Sequence, residues 1–387
     1  MMGYDQIEQF ARIRVVGVGG AGGNAIRHMI AAELHYVEFV AMNTDAQALA
    51  RVEGAKQIHL DEGITRGLGA GGDPAVGARA AKESADVIAE TLAGADLVFI
   101  TLGLGGGTGT GAGPIVARIA RKLGALVVGV VTLPFAFEGR KRGMTAWSGL
   151  SALREQVDTL ITIPNDRLFR IAQPDITLLE AFRVADDVLR QAVNGLADLV
   201  VVPGLINLDF ADLRAVMAGA GTALMSIGEA DGPDRARLAA QLAVASPLLG
   251  MEVHGAMGIV FNVTGGNDMA LSEVQIIAEI LGDAAHPDAT LIFGAVTDES
   301  YAGRLRVTVV ATGFAMPPVQ VSRGAATVPA ITRIPTIPRE HASPVDPHWE
   351  AEAPPSHPVR PISHPDLMPI PAHIRGTSAM PAYLRKT

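Results

Sequence analysis

G-L-G-G-G-T-G-T-G-A-G, residues 103–113, is the stretch on which the reading of this chain turns. It follows an apolar run at 95–102 and precedes a helical stretch at 114–123, so it reads as a strand that closes in a glycine turn and opens a helix. Gly103 marks the end of the strand, and glycines at 105, 106, 107, 109 and 111 let the backbone take positive φ and approach a ligand with no Cβ in between. Thr108 and Thr110 set hydroxyls among them. A helix that begins here turns its unpaired N–H groups and the positive end of its dipole onto the loop, an arrangement suited to phosphate. The stretch holds no lysine, so it is not the G-x-x-x-x-G-K-[ST] loop.

The segments before it repeat the pattern. Residues 12–18 read as a buried strand that runs into Gly19, Gly20, Ala21, Gly22, Gly23 and Asn24 and then a helix over 25–32. A second strand, 37–42, ends at Asn43, Thr44 and Asp45, a polar cluster at a carboxyl end, where open α/β sheets bind ligands. Residues 17–22 also satisfy G-x-G-x-x-G with Asp45 about twenty residues further on, which admits a nicotinamide-dependent oxidoreductase. A third glycine loop at 67–73, with Ala70, Gly71 and Gly72, precedes a helical run over 74–92. Three such loops exceed what one dinucleotide pyrophosphate needs and would wrap a triphosphate.

Downstream, a strand at 126–132 ends at Thr132, followed by Glu138 and Arg142 in a charge cluster. That cluster reads as a solvated helix start or, beside a phosphate pocket, as a pair on one helix face holding ribose hydroxyls and phosphate oxygens. A strand at 159–163 stops at Pro164, Asn165 and Asp166. Residues 175–202 contain no proline and carry a helical apolar period, which predicts one long buried helix. On it, Phe182 and Asp186 share a face: a ring there stacks on a purine and a carboxylate accepts from guanine's ring N–H and amine. The competing reading is a core Phe beside a solvated Asp, and the phosphate loops favour the first. Beyond the helix, Asn207, Asp209 and Asp212 open the next one. Acids at a helix start serve as caps and dipole partners. These lie roughly 30–40 Å from the glycine loops at 1.5 Å per helical residue, so catalytic work by them has to be done on another molecule.

Residues 220–316 read as a smaller α/β unit, with strands at 222–227, 256–263, 290–296 and 305–311 and helices at 233–245 and 271–281. From 317 the composition shifts: 15 of the 24 prolines fall in the last 71 residues, without apolar periodicity, which predicts a disordered linker over 317–378. The final segment, 379–387, contains Met380, Pro381, Ala382, Tyr383, Leu384, Arg385 and Lys386, a small amphipathic peptide suited to docking on a partner. The expected division is therefore 1–174 for nucleotide binding, 175–202 for the central helix and 203–316 for the second domain.

Composition narrows the function. A chain of 387 residues with 49% hydrophobic and 4% aromatic content fits a two-domain α/β protein. A net charge of -9 argues against nucleic acid and against unaided binding to anionic membranes. Zero cysteines exclude disulfides, thiolate zinc sites and thiol nucleophiles. Residues 1–10 lack the apolar core of a signal peptide, and the longest apolar run, 125–137, is interrupted by Gly129 and Pro134, short of the roughly 20 residues that span a bilayer. The expectation is a cytoplasmic protein that meets membranes through partners and makes no direct insertion.

G-G-G-T-G-T-G at 105–111 together with N-L-D-F-A-D at 207–212 resembles the tubulin family, and most closely its bacterial cell-division branch, the FtsZ family. V-G-G-A-G-G-N at 18–24, N-T-D-A-Q-A-L at 43–49, G-L-G-A-G at 67–71, P-F-x-F-E-G at 134–139, I-T-I-P-N-D at 161–166 and L-R-V-T-V-V-A-T-G at 305–313 extend the likeness. The resemblance implies a Rossmann-type GTP-binding domain joined by a central helix to a smaller α/β domain, with a disordered C-terminal tail. It also implies a GTPase, using Mg²⁺, that stacks head to tail into the filaments of the division ring. On it, Gly20 to Asn24 and Gly107 to Gly109 hold phosphates and sugar, Glu138 and Arg142 contact ribose and phosphate, and Asn165, Phe182 and Asp186 surround guanine. Asn207, Asp209 and Asp212 then enter the pocket of the neighbouring subunit, and residues 380–386 dock membrane-anchoring and regulatory division proteins. A tubulin-like regulator that binds nucleotide without forming filaments is the third alternative. The sequence departs from the family pattern at Ala21, where glycine is usual, at Asp186, where Asn is frequent, and at Arg183 and the pair Gln173 and Pro174.

Overall fold

The computed structural model describes residues 11–32, 34, 36–168, 177–201, 209–245 and 255–314. Gln173, Pro174, Asn207, the Pro-rich segment and residues 380–386 lie outside the described residues.

The chain begins with β1 (Ile13–Val18), α1 (Gly19–Ala31), β2 (Val37–Asn43), α2 (Ala46–Ala50), β3 (Lys56–His59), α3 (Glu62–Thr65), α4 (Pro74–Glu83) and α5 (Ala85–Leu92). There follow β4 (Leu97–Gly103), α6 (Thr108–Lys122), β5 (Leu126–Leu133), α7 (Arg140–Arg154), β6 (Thr159–Pro164) and α8 (Asn165–Leu168). The long helix α9 (Leu178–Val201) leads to α10 (Phe210–Met217), β7 (Gly221–Asp231), α11 (Arg235–Val244), β8 (Gly258–Gly265), α12 (Leu271–Ala284), β9 (Thr290–Thr297) and β10 (Arg304–Thr312).

One sheet of ten strands, in the order β3-β2-β1-β4-β5-β6-β7-β10-β8-β9, runs through both halves. The first six strands are parallel, and their order is that of a doubly wound nucleotide-binding sheet, with the topological switch between β1 and β4. β4 and β5 are buried almost throughout, as strands covered on both faces must be, which is why they read as unbroken Val, Leu and Ile runs. α1 and α9 cover one face, and α4, α5, α6 and α7 the other. β6 and β7 pair in parallel over Thr159↔Gly221 to Ile161↔Ala223, and beyond that point β10 lies antiparallel between β7 and β8. α11 and α12 close a separate core on the far face of these strands.

Three predicted helices take clearly other bounds. α1 begins at Gly19, within its glycine loop and six residues before the expected start at 25. The run expected at 74–92 breaks at Ser84, whose Oγ accepts a hydrogen bond from Asp61 N (3.0 Å) and whose backbone leaves helical angles. α6 starts six residues earlier than expected, within the glycine stretch, and takes Pro114 into its interior. Glycine propensity argues against helix there, but α4 lies so close that a Cβ at Gly111 would stand 2.0 Å from Pro74 O.

Candidate functional site

The carboxyl ends of β1, β4, β5 and β6 line up, as the pairs Gly17↔Thr101, Gly103↔Thr132 and Leu133↔Pro164 show. The glycine loops meet above this edge and hold one another by contacts that exclude side chains. A Cβ at Gly19 (φ 74°) would lie 2.9 Å from Gly109 N, one at Gly103 2.8 Å from the Ala21 Cβ, and one at Gly107 2.8 Å from the Ala70 Cβ. Ala21 thus rests its methyl on Gly103, inside the protein framework. Gly20 and Gly106 differ: neither has positive φ, and a Cβ on either would meet nothing within 4 Å. Neither conformation nor packing requires glycine at these two positions, which leaves close approach by a ligand as the requirement. Gly71 and Gly72 also face open space, with φ of 59° and 78°.

Two helices begin at this hollow, and both begin without a cap. The residues before α1 and α6, Val18 and Gly107, make no side-chain capping bond, and neither helix has an acid in its first turn. By contrast Asp45 caps α2, Asp73 caps α4 and Asp209 caps α10. The first N–H groups of α1 and α6 are therefore left to an anion, with two dipoles converging on it.

Several polar residues expected at the phosphates serve first to hold the loops. Thr110 Oγ1 accepts from Gly105 N (2.9 Å), and the hydroxyls of Thr44 and Thr108 share a hydrogen bond of 2.6 Å. Asn43 Oδ1 accepts from Asp45 N (3.2 Å), and Asp45 Oδ1 from Ala48 N (2.9 Å). Thr132 is buried beside Gly103, its carbonyl accepting from Leu104 N (2.9 Å). Asn24 stands exposed on the second turn of α1.

Beside the hollow, Glu138 Oε1 accepts from Phe135 N (2.8 Å), and its Oε2 lies 2.9 Å from Arg142 Nε. The stem of Arg142 covers Gly105, where a Cβ would strike it at 2.8 Å. Phe182, 39% exposed, sets its ring edge-on to buried Phe135 at 5.5 Å. Asn165 is buried, and its Oδ1 has no hydrogen-bond partner. An unpartnered buried acceptor costs on the order of 1–3 kcal/mol, so it signals a donor supplied from elsewhere.

Asp186 lies one turn beyond Phe182 and is mostly buried; its Oδ2 stands 3.7 Å from His28 Nδ1 on α1. Burial pushes its carboxyl up to about 7, against the opposing pull of Arg27. His28 is lowered below its ordinary value, by burial first and then by Arg27, so at neutral pH it is largely uncharged and the contact is no full ion pair. Nothing in the sequence points to His28; its role depends on how α1 packs on α9.

Asp209 and Asp212 are elsewhere. Both are exposed, and Asp209 Oδ1 accepts from Ala211 N (3.1 Å). α10 sits at the amino ends of the parallel strands: Arg214 donates to Gly124 O (3.1 Å) just before β5, and Thr159 Oγ1 at the start of β6 donates to Met217 O. The 24 residues of α9 separate these acids from Phe182's end by about 36 Å.

Fold and hollow together define a tubulin-type nucleotide-binding protein. The sequence model of the Tubulin/FtsZ family GTPase domain matches residues 12–173, and that of the FtsZ family C-terminal domain matches residues 221–315. The structure is similar to an FtsZ dimer from M. jannaschii at 48% identity and a TM-score of 0.76, covering 78% of this chain and 88% of that one. A variant of the same M. jannaschii FtsZ matches at 47% identity and 0.76, over 79% and 92%. The GTPγS-bound protofilament of CetZ2 from Haloferax volcanii shares the fold, at 20% identity and 0.67, over 78% and 92%. The chain belongs to the FtsZ family, and it is a GTPase. That membership sets aside the oxidoreductase reading of residues 17–22.

Proposed function

We propose that the chain polymerises head to tail and hydrolyses GTP at the junction between two copies, as the cytoskeletal GTPase of the cell-division ring. The observation that carries the reading is the separation of Asp209 and Asp212 from the glycine hollow by the length of α9. Such acids cannot serve the pocket of their own chain, but stacking brings the α10 end of one copy onto the nucleotide end of the next. There Asp209 and Asp212, beside Asn207, polarise or deprotonate a water in line with the γ-phosphate, and the N–H groups at the starts of α1 and α6 take up the developing charge. The phosphates lie on Gly19 to Asn24, Ala70 to Gly72 and Gly106 to Thr110, with Glu138 and Arg142 at the sugar. Phe182 stacks on guanine, whose donors satisfy Asn165 and Asp186.

Mg²⁺ fits this site as a passenger of the nucleotide. Among the described residues no group of three or more His, Asp or Glu could hold a metal by itself, and the hollow offers N–H groups together with the partly exposed hydroxyl of Thr108, held by buried Thr44. That hydroxyl would supply a protein oxygen and the phosphates and water the rest, and when bound the ion neutralises phosphate charge. Residues 380–386 would dock membrane-anchored and regulatory division proteins, placing filaments at midcell on the inner membrane face, at the end of a linker with a typical reach of roughly 45 Å. No helix among the described residues is long and apolar enough to cross a membrane.

Asp212→Ala tests the split site. GTP affinity should remain while turnover falls about a hundred-fold or more, the scale of a lost general base. Turnover at the parental rate would refute the reading. Deleting residues 380–387 should leave hydrolysis intact and abolish capture of the membrane-anchored partners.

A further inference from the structure

Helix α10 carries Asp209 at its cap and Asp212 in its first turn, and it is held from the other end. Its last turn is tied to both halves of the sheet: Met217 O accepts from Thr159 Oγ1 at the start of β6, and Val216 O from Thr312 Oγ1 at the end of β10 (3.5 Å). Leu213 and Met217 are buried beneath it. The first turn stands in the open, with Ala211 and Asp212 exposed. Its eight residues make a helix about 12 Å long at 1.5 Å per residue, so a pivot of about 5° on the fixed end shifts the acids by about 1 Å. Misplacement on that scale can cost about a hundred-fold in turnover.

Arg214 stands between the fixed end and the acids. Its Nη2 donates to Gly124 O (3.1 Å), 90 residues away in the sequence, and it pairs with neither acid of its own helix. Gly124, with φ of 88°, closes α6, its N–H donating to Arg121 O (3.1 Å). The carbonyl of Gly124 therefore lies at the negative end of the α6 dipole, where a guanidinium is favoured. The anchor is itself fixed: β5 begins two residues on, where Val127 N donates to Asp158 Oδ2 (2.9 Å) and Asp158 N to Val127 O (2.9 Å).

We propose that Arg214 is a positioning residue for hydrolysis: by holding α10 to the carboxyl end of α6, it fixes where Asp209 and Asp212 stand when they enter the hollow of the next copy. The assignment rests on the split-site reading above. It gives α6 a part at both ends, its uncapped start taking phosphate and its close steadying the acids. Alanine at 214 would leave α10 held by its last turn and its buried face, whereas lysine still brings a cationic donor to the carbonyl.

Phosphate release at saturating GTP is measured for Arg214→Ala and Arg214→Lys, beside GDP titration, a thermal melt and the GTP-dependent high-speed pellet. Arg214→Ala should keep the parental affinity, melt and pellet and lose about tenfold in turnover. Arg214→Lys should recover most of that loss. Mixtures then locate the effect. Asp212→Ala supplies intact hollows and Gly107→Ala intact acids, and the two together work where one meets the other. Adding Arg214→Ala to the Gly107→Ala partner should cut the turnover of the mixture about tenfold, and adding it to the Asp212→Ala partner should change it little. Parental turnover in Arg214→Ala, a loss matched by a lower melt or a smaller pellet, or a loss that follows the hollow-bearing partner would overturn the assignment and leave the split site intact. A mixture of the two single variants that regains no turnover would remove the split site and the assignment with it.

Discussion

Gly20 and Gly106 bear most directly on how the phosphates are held. A Cβ on either meets no protein atom, so Gly20→Ala, on the first turn of α1, should leave stability within about 0.5 kcal/mol or raise it slightly. Nucleotide affinity should nevertheless fall tenfold or more, read by GDP titration beside a thermal melt; unchanged affinity would mean the phosphates lie elsewhere. Asp186 makes a prediction of a different kind. Its carboxyl is held up near 7, above an ordinary Asp, so the folded state keeps a proton that the unfolded chain has released. The stability this contributes is complete below about pH 4 and is lost as pH rises through about 7, worth at most roughly 4 kcal/mol. Asp198, pushed up to about 6 mainly by burial, acts in the same direction. Guanine needs the ionised Asp186 as acceptor, so affinity should run the opposite way and rise with pH through 7. Asp186→Asn should flatten the affinity profile in that window, and a profile unchanged by the substitution would contradict the assignment of Asp186 to the base.

The two helices that carry phosphate loops, α4 and α6, cross where only glycine fits. Gly111→Ala would gain about 1 kcal/mol of helix propensity in isolation, but its Cβ would stand 2.0 Å from Pro74 O and 2.7 Å from Ala78 N. Overpacking against backbone costs about 1–3 kcal/mol or more and should win. Net destabilisation in denaturant, with weaker nucleotide binding at a residue that touches no ligand, is the expected outcome. This junction also explains what the sequence could and could not disclose. β4 and β5 were legible because a strand covered on both faces is uniformly apolar, and α9 because its apolar period runs unbroken for seven turns. The back-extension of α6 through three glycines was not legible, since propensity opposes it and only the contact with α4 decides it. β3, K-Q-I-H, buries only Ile58 and offers no period; α2, α3 and α8 are single turns fixed by tertiary contacts. The glycine loops, Phe182, Asp186 and the remote acids were visible as residue types at spacings. His28 and the loop-holding parts played by Thr110 and Asp45 needed the packing of distant segments.

At the scale of the whole molecule, the sheet puts the glycine hollow at one end of its parallel strands and α10 at the other, with α9 as the spacer. A chain built this way is asymmetric along its length, and its two ends are complementary in chemistry: uncapped helix starts at one, exposed carboxylates at the other. Turnover per subunit should therefore rise steeply with protein concentration as junctions form and level off once filaments do. The most direct test of a site shared between copies is complementation. Asp212→Ala has an intact hollow and only one of the two acids; Gly107→Ala, whose Cβ would collide with Ala70 and Asp73, has both acids and a spoiled hollow. Phosphate release is measured for each alone and for the two mixed in equal amounts. If hydrolysis occurs across the head-to-tail junction, each alone is inactive and the mixture recovers up to about a quarter of parental turnover, the share of junctions that pair a good hollow with a good acid. A mixture no more active than its separate components would contradict the split site.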